Sequence, residues 1–310
     1  MAKGKLGVGV IGTGGMGGRH ARNLTHRVNA AEVVAVMDLD QVRANEVAAD
    51  CAGAAVFTDP AALIREHAVE AVVIASPDPT HADLAIACIE AGKPVLCEKP
   101  LGVDINDARR VLNAEVASGS RLVQVGLMRM YDPQHVALRR AIDDGTIGQP
   151  LLFRGIHKHW RQDRTAVDVI VNSAVHDIHS ARWLMRDDVA TVYADHVVAD
   201  PERPESTRLV LLQMKFRRGG LGTIEVDVDD NYGYEVVVEV SGEHGTLRTP
   251  SITSPILRKD GKASRVVEAD WLERFEMAYI FEAEAWVGAV LSGTTIGASV
   301  WDGYAAMRVA

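Results

Sequence analysis

"LGVGVIGTGGMG", residues 6–17, decides the fold class of this chain. Its first six residues form an apolar run of valine, glycine, leucine and isoleucine, the pattern of a strand covered on both faces. The run ends in Gly12-Thr13-Gly14-Gly15-Met16-Gly17, a G-x-G-x-x-G spacing, and residues 16–28 can continue as a helix. A glycine-rich loop alone is a weak signal. Here it joins a strand to a helix, and the next apolar run, "EVVAVMD" (32–38), ends in Asp38, twenty-one residues beyond Gly17. That is close to the usual spacing of a dinucleotide-binding unit. Gly12 permits the tight turn, Gly14 lets backbone N–H groups approach a pyrophosphate, and Gly17 lets the helix pack against the strand. The helix N-terminus favours the phosphate charge. Asp38 would accept hydrogen bonds from ribose hydroxyls and repel a 2′-phosphate. The expected cofactor is therefore NAD, with NADP less favoured, although Arg43 softens that preference. Thr13, Gly15 and Met16 complete the expected cofactor loop.

Working outward, the same alternation continues. Apolar runs at "AAVF" (54–57), "EAVVIAS" (70–76), "KPVLCEK" (93–99) and "RLVQVG" (121–126) are separated by helical stretches at 41–50, near 60, 80–92 and 104–118. Strand and helix in alternation imply a doubly wound α/β domain with a parallel sheet. Ligands in such sheets bind beyond the carboxyl ends of the strands. Two strands end in informative turns. "IASPDPTH" (74–81) places Ser76, Pro77 and His81 at the expected cofactor edge. "VLCEKPLG" (95–102) places Glu98, Lys99 and Pro100 there, and proline bars that strand from continuing as a central one.

From about residue 127 the pattern changes. Helices are expected at 133–145, 171–185, 271–293 and from 297 onward. Between them, runs at 150–160, 188–198, 207–216, 220–229 and 233–242 alternate in part and are joined by tight glycine connections, as in a mainly antiparallel sheet with one open face. An open face invites a partner, so a homodimer or homotetramer through that sheet is expected. Asn172, Ser173 and His176 sit three and four residues apart on one helix and share a face. His157 and His159 alternate on a strand and point the same way.

The bulk numbers exclude other classes. At 310 residues the chain is long enough for two domains. A net charge of −9 gives no electrostatic reason to expect a nucleic-acid or membrane partner. "MAKGKLGVGVIG" lacks the long apolar stretch of a secretion signal, and no apolar run reaches a membrane-spanning length. Cys51, Cys88 and Cys97 have no paired spacing and read as core residues of a cytoplasmic protein.

The motifs "GVIGTGGMGGRH", "EVVAVMD", "PVLCEKPLG", "RLVQVGLMRMYDPQ", "SAVHDI", "YGYEVVVEVSGEHG" and "WDGY", in that order, resemble the Gfo/Idh/MocA oxidoreductases over almost the whole chain, most closely those acting on inositol. The resemblance implies an N-terminal Rossmann domain (1–126), an α/β domain with an open, mainly antiparallel sheet (127–295), and a C-terminal helix (296–310) returning toward the first domain. It implies Lys99 and His176 as the catalytic pair, with Asn172 beside them. Arg129, His157, Ser173, Asn172, Tyr234 and Tyr232 become expected substrate contacts, and Trp301 of "WDGY" an expected cofactor contact. The family often carries a cis peptide at Lys99-Pro100. The implied substrate is a cyclic polyol such as myo- or scyllo-inositol, or a pyranose sugar. His176 would act as general base and Lys99 would stabilise the developing alkoxide. Glu98 would pair with Lys99, contact the cofactor or face solvent. Two features depart from the family. Asn172 stands where relatives carry aspartate, so the usual negative charge is missing. The chain also stops soon after "WDGY", where relatives run further. Two other readings come from different classes: an NAD-binding regulator without turnover, and a metal-dependent enzyme using His157, His159 and His176. No recognised ligand spacing supports the metal reading, and the expected site holds none.

Overall fold

The computed structural model describes residues 4–160, 162–252 and 254–310. Met1, Ala2 and Lys3, the start of the N-terminal stretch inspected for a secretion signal, lie outside them. The chain begins β1 (Leu6–Ile11), α1 (Gly15–His26), β2 (Ala31–Met37), α2 (Gln41–Asp50), β3 (Ala55–Phe57), α3 (Pro60–Arg65), β4 (Ala71–Ile74), α4 (His81–Glu90), β5 (Val95–Glu98), α5 (Ile105–Ser118) and β6 (Val123–Gly126). It continues through α6 (Pro133–Asp143), β7 (Pro150–Lys158), β8 (Arg164–Thr165), α7 (Ala166–Val169), α8 (Val175–Met185), β9 (Val189–Asp200), β10 (Arg203–Phe216), β11 (Leu221–Asp227), β12 (Glu235–Gly242) and β13 (Thr246–Arg248). The hairpin β14 (Leu257–Lys259) and β15 (Lys262–Ser264) precedes α9 (Trp271–Arg274), α10 (Glu276–Leu291) and α11 (Val300–Met307).

Two compact units result. The first joins Met1–Met130 to Met277–Arg308, and the second holds Tyr131–Glu276 with Val309 and Ala310. In the first, six parallel strands lie in the order β3-β2-β1-β4-β5-β6. This is the doubly wound order, and its direction reverses between β1 and β4, where such sheets bind ligands. β1, β4, β5 and β6 are buried along their whole length, including Glu98 of β5 and Gln124 of β6, as expected for central strands covered on both faces. Helix starts are fixed locally: Asp40 and Asp104 each accept two backbone N–H groups at the head of α2 and α5, and Asp59 accepts one at the head of α3.

Sequence pattern alone puts everything from residue 127 to residue 295 in the second domain. The structure instead gives α10 to the first unit. Ala283, Trp286 and Val287 of α10 pack in one cluster with Ala21 and Leu24 of α1 and Leu96 of β5. The helix is apolar around most of its circumference, so it is buried in a core. The expected single helix 271–293 is also two, because Phe275 leaves helical geometry between α9 and α10.

In the second unit the sheet runs β13-β12-β7-β11-β10-β8, with β9 also paired to β10. Every pairing is antiparallel except β7 with β11. β10 alternates, with Val210, Leu212, Met214 and Phe216 buried. α8 packs on β7 and β11. β9 is exposed along nearly all its length and shows Val192, Tyr193, Val197 and Val198 to solvent. The three cysteines are buried and unpaired. Among the described residues, no helix is long and apolar enough to cross a membrane.

Candidate active site

In the first unit, the loop after β1 takes the form its glycines predict. Gly12 has a φ of 86°, and a Cβ there would lie 2.6 Å from the Ser76 backbone. A Cβ on Gly17 would stand 1.7 Å from the Gly12 carbonyl oxygen, so only glycine lets α1 approach β1 this closely. Gly14 caps α1, and at Gly14 or Gly15 a Cβ would meet nothing within 4 Å. The helix start is thus an open cradle with backbone N–H groups at its floor. Met16 lies in the first turn.

Asp38, just past β2, is locked to this loop. Its Oδ2 accepts from the Thr13 amide at 2.8 Å and the Thr13 hydroxyl at 2.9 Å, and its Oδ1 accepts from the Asp40 amide at 3.0 Å. Burial alone would raise its pKa. The Asp40 and Thr13 hydrogen bonds, with Arg43 3.6 Å away, outweigh burial and hold the carboxyl below its ordinary range. A fixed carboxylate beside a helix-terminal cradle is the donor and acceptor set an NAD adenosine pyrophosphate needs. The site fits the cofactor.

The turns after β4 and β5 are tied together by His81. Its Nδ1 lies 2.7 Å from the Pro100 carbonyl oxygen and its Nε2 lies 2.8 Å from that of Ser76. The ring of His81 therefore stands between the turns that end β4 and β5, at the expected cofactor edge. Ser76 Oγ pairs with Thr80 Oγ1 at 2.6 Å, and Pro77 opens the short turn between them. The Lys99-Pro100 peptide is cis. Glu98 does not face solvent: it is buried, its Oε1 lies 2.7 Å from His20 Nε2, and its Oε2 accepts the Lys99 amide at 3.2 Å. Arg129 is fully buried in the turn after β6, and Trp301 is 45% exposed on α11, stacked obliquely on Tyr304.

In the second unit, β7, β12 and α8 bring a different group together. His157 Nδ1 lies 2.8 Å from Asp177 Oδ2, and its Nε2 lies 2.9 Å from the Tyr234 hydroxyl. A carboxylate only accepts, so Nδ1–H donates to Asp177, and in the neutral ring Nε2 accepts the Tyr234 O–H. His159 and Tyr234 stack edge to face against the same ring cluster. His157, expected as a substrate contact, thus has both ring nitrogens within this network. The same engagement weakens the metal reading, and among the described residues no three histidine, cysteine or acidic side chains are arranged to hold an ion. Tyr232 is exposed and donates to Glu235 at 2.6 Å.

His176 lies in the first turn of α8, buried, with Ser173 buried before it. The expected helix 171–185 starts earlier, at Ala166, and residues Ile170–Ala174 form a wider π-type turn inside it. Such turns carry i→i+5 bonds and reorient the following side chains. Asn172 donates its amide to Asp168 Oδ1 at 2.6 Å. The charge absent at residue 172 therefore stands one hydrogen bond away. Sequence reasoning does not single out Asp168, Asp177, His20 or Glu282. Only the i,i+4 spacing of Asp168 and Asn172 offers a local signal.

Comparison with known proteins places this geometry. The family model for the Gfo/Idh/MocA oxidoreductases, NAD-binding Rossmann fold, matches residues 6–127, and that family's C-terminal domain model matches residues 135–248. The chain belongs to the Gfo/Idh/MocA oxidoreductase family: it is an enzyme, and NAD is its cofactor. The regulator reading is set aside. The chain is 48% identical to the inositol 2-dehydrogenase of Rubrobacter xylanophilus, over 99% of this chain and 89% of that one. It is 43% identical to inositol 2-dehydrogenase 1 of Saccharopolyspora erythraea, over 98% and 91%. Among solved structures, the myo-inositol dehydrogenase of Lactobacillus casei, in complex with NAD(H) and myo-inositol, superposes with a TM-score of 0.93 at 31% identity, covering 98% of this chain and 92% of that one.

Proposed function

We propose that this protein is an inositol dehydrogenase: it oxidises a secondary ring hydroxyl of myo- or scyllo-inositol to the ketone, with a pyranose sugar as the next substrate class. The observation that carries this is identity of 48% and 43% to two inositol 2-dehydrogenases over nearly the whole of this chain. When bound, NAD supplies the hydride acceptor. The chain's own residues do the rest. Gly12, Gly14 and the amides opening α1 hold the pyrophosphate, and Asp38 takes the adenosine ribose hydroxyls. His176 removes the hydroxyl proton, a task suited to imidazole near neutral pH. Lys99 donates a hydrogen bond to the same oxygen as it gains alkoxide character. Tyr234, oriented by His157 and Asp177, and Asn172, oriented by Asp168, position neighbouring ring hydroxyls. Arg129 and Ser173 complete the substrate contacts, and Trp301 contacts the cofactor.

A panel of inositols and pyranoses with NAD and NADP, read at the NADH absorbance, tests the substrate. Lys99→Ala and His176→Ala should each lose at least about a hundredfold in kcat while NADH binding persists. Turnover near the parent rate in either variant refutes the role. Assembly through the open sheet, with β9 and its exposed Val192, Tyr193, Val197 and Val198 at the edge, is part of this reading. Light scattering should return a dimer or tetramer.

A further inference from the structure

The first unit encloses a polar cluster that the proposed reaction leaves unused. Leu96 and Glu98 of β5 stand opposite Gln124 and Gly126 of β6. Strand alternation puts all four on one face. That face is the one α1 and α10 cover, since Leu96 packs with Ala21, Leu24, Ala283, Trp286 and Val287. His20 immediately precedes Ala21, and Glu282 immediately precedes Ala283. His20 reaches Glu98 directly, Glu282 lies near enough to feel the Glu98 charge, and Gln124 stands on the same face of β6.

Their hydrogen bonding is unequal. Both oxygens of Glu98 are used, one by His20 and one by the Lys99 amide. Both oxygens of Glu282, both amide atoms of Gln124 and Nδ1 of His20 are buried with no hydrogen-bond partner among the described residues. The three side chains are nearly sealed from solvent, with Glu282 at 0%, His20 at 1% and Gln124 at 3% exposure. Buried polar atoms gathered in this way are what internal water satisfies.

The two carboxyl groups also differ in charge. Burial acts to raise Glu98, but the hydrogen bond and charge of His20, with Lys99 and His81 nearby, outweigh it and hold its carboxyl below the ordinary range. Glu282 has no such help: burial pushes it well up, and the Glu98 charge pushes it further. The charged and titratable groups around the pair are His20 from α1, His81 from α4, Lys99 after β5 and Tyr279 one turn earlier on α10. Both effects favour a proton on Glu282 over Glu98. A neutral carboxyl can donate a hydrogen bond where a carboxylate cannot. Gly126 keeps the space open, since a Cβ there would lie 3.1 Å from Glu98 Oε2.

We propose that Glu282 is a positioning residue: as the protonated member of a water-bridged cluster with Gln124, Glu98 and His20, it holds the Glu98 carboxylate against the Lys99 amide and so fixes Lys99. This rests on the role proposed for Lys99 above. The test pairs spectroscopy with kinetics on the full chain. Infrared difference spectra of protein with isotope-labelled glutamate should show a protonated carboxyl band at neutral pH that disappears in Glu282→Gln. Glu282→Leu, which fills the volume without hydrogen bonding, should lose about tenfold in kcat at unchanged NADH affinity, and Glu282→Gln should recover most of that loss. Absence of the band from the parent, or parental turnover in Glu282→Leu, overturns the proposal. If Glu282→Leu does not fold, the band in the parent and its loss in Glu282→Gln decide alone. The band needs no substrate, so a protein that shows it yet oxidises no polyol refutes the substrate reading and keeps the cluster.

Discussion

Replacing Gly17 by alanine adds one methyl group at the most crowded point of the cofactor loop. The new Cβ would stand 1.7 Å from the Gly12 carbonyl oxygen, whereas ordinary contact begins at 3.4 Å. The obstacle is backbone and cannot rotate aside, so α1 must retreat by about 1.7 Å, taking Ala21 and Leu24 out of register with the core. Overpacking of this kind costs about 1–3 kcal/mol, and a backbone obstacle belongs at the upper end. Alanine's better helix propensity returns about 1 kcal/mol. A net loss of about 2 kcal/mol lowers Tm by roughly 4–8 °C. The displaced helix start should weaken NADH binding by at least about tenfold, and a shift beyond about 1 Å should cut kcat/KM by about a hundredfold. Gly14→Ala is the control. Its Cβ meets nothing within 4 Å, and its φ of −64° suits alanine, so Tm should hold while the methyl intrudes on the cradle and weakens NADH binding. Scanning calorimetry and NADH fluorescence titration separate the two. A Gly17→Ala protein with parental Tm and NADH affinity would refute the close-approach argument.

Thr13→Val removes the hydroxyl that donates to Asp38 at 2.9 Å while keeping the amide bond. One lost hydrogen bond to a charged group is worth about 1.5–3 kcal/mol at most, so NADH affinity should fall about three- to tenfold and the preference over NADPH should narrow. Asp168→Ala should lower kcat/KM several-fold at constant NADH affinity, because Asn172 loses the partner that orients its amide at 2.6 Å; steady-state kinetics with inositol reads this. In the second unit, Asp132 accepts from His135 and Arg274 in a buried cluster. Burial acts to raise its pKa, yet those hydrogen bonds and charges outweigh it, and the folded-state pKa lies below the ordinary value. Its stabilisation is therefore full above the unfolded carboxyl pKa near about 4 and is lost as pH falls toward the folded value. Asp132→Ala should cost about 3–5 kcal/mol at neutral pH, and denaturant titrations should show the gap to the parent closing between about pH 5 and pH 2.

Much of the first unit is local in origin and is legible in the amino-acid sequence itself. The β1 loop, the spacing to Asp38 and the apolar strands at 70–76, 93–99 and 121–126 follow from glycine conformational freedom and strand periodicity, which act within a few residues. Each expected strand of the parallel sheet appears within a residue or two of its sequence position. What tertiary structure alone decided involves residues far apart in the chain. Asp177 meets His157 across 20 positions and His157 meets Tyr234 across 77, so no spacing could announce this network. By sequence Glu98 has the character of a group at a surfacing strand end, but α1 brings His20 over it and turns it inward. α10 belongs to the second domain by position, yet its apolar circumference is buried against α1 and β5. Local sequence sets backbone geometry, because its energetics are short-ranged. The partner of a buried charge is set by which helices cover which face of a sheet, and that is a property of the assembled core.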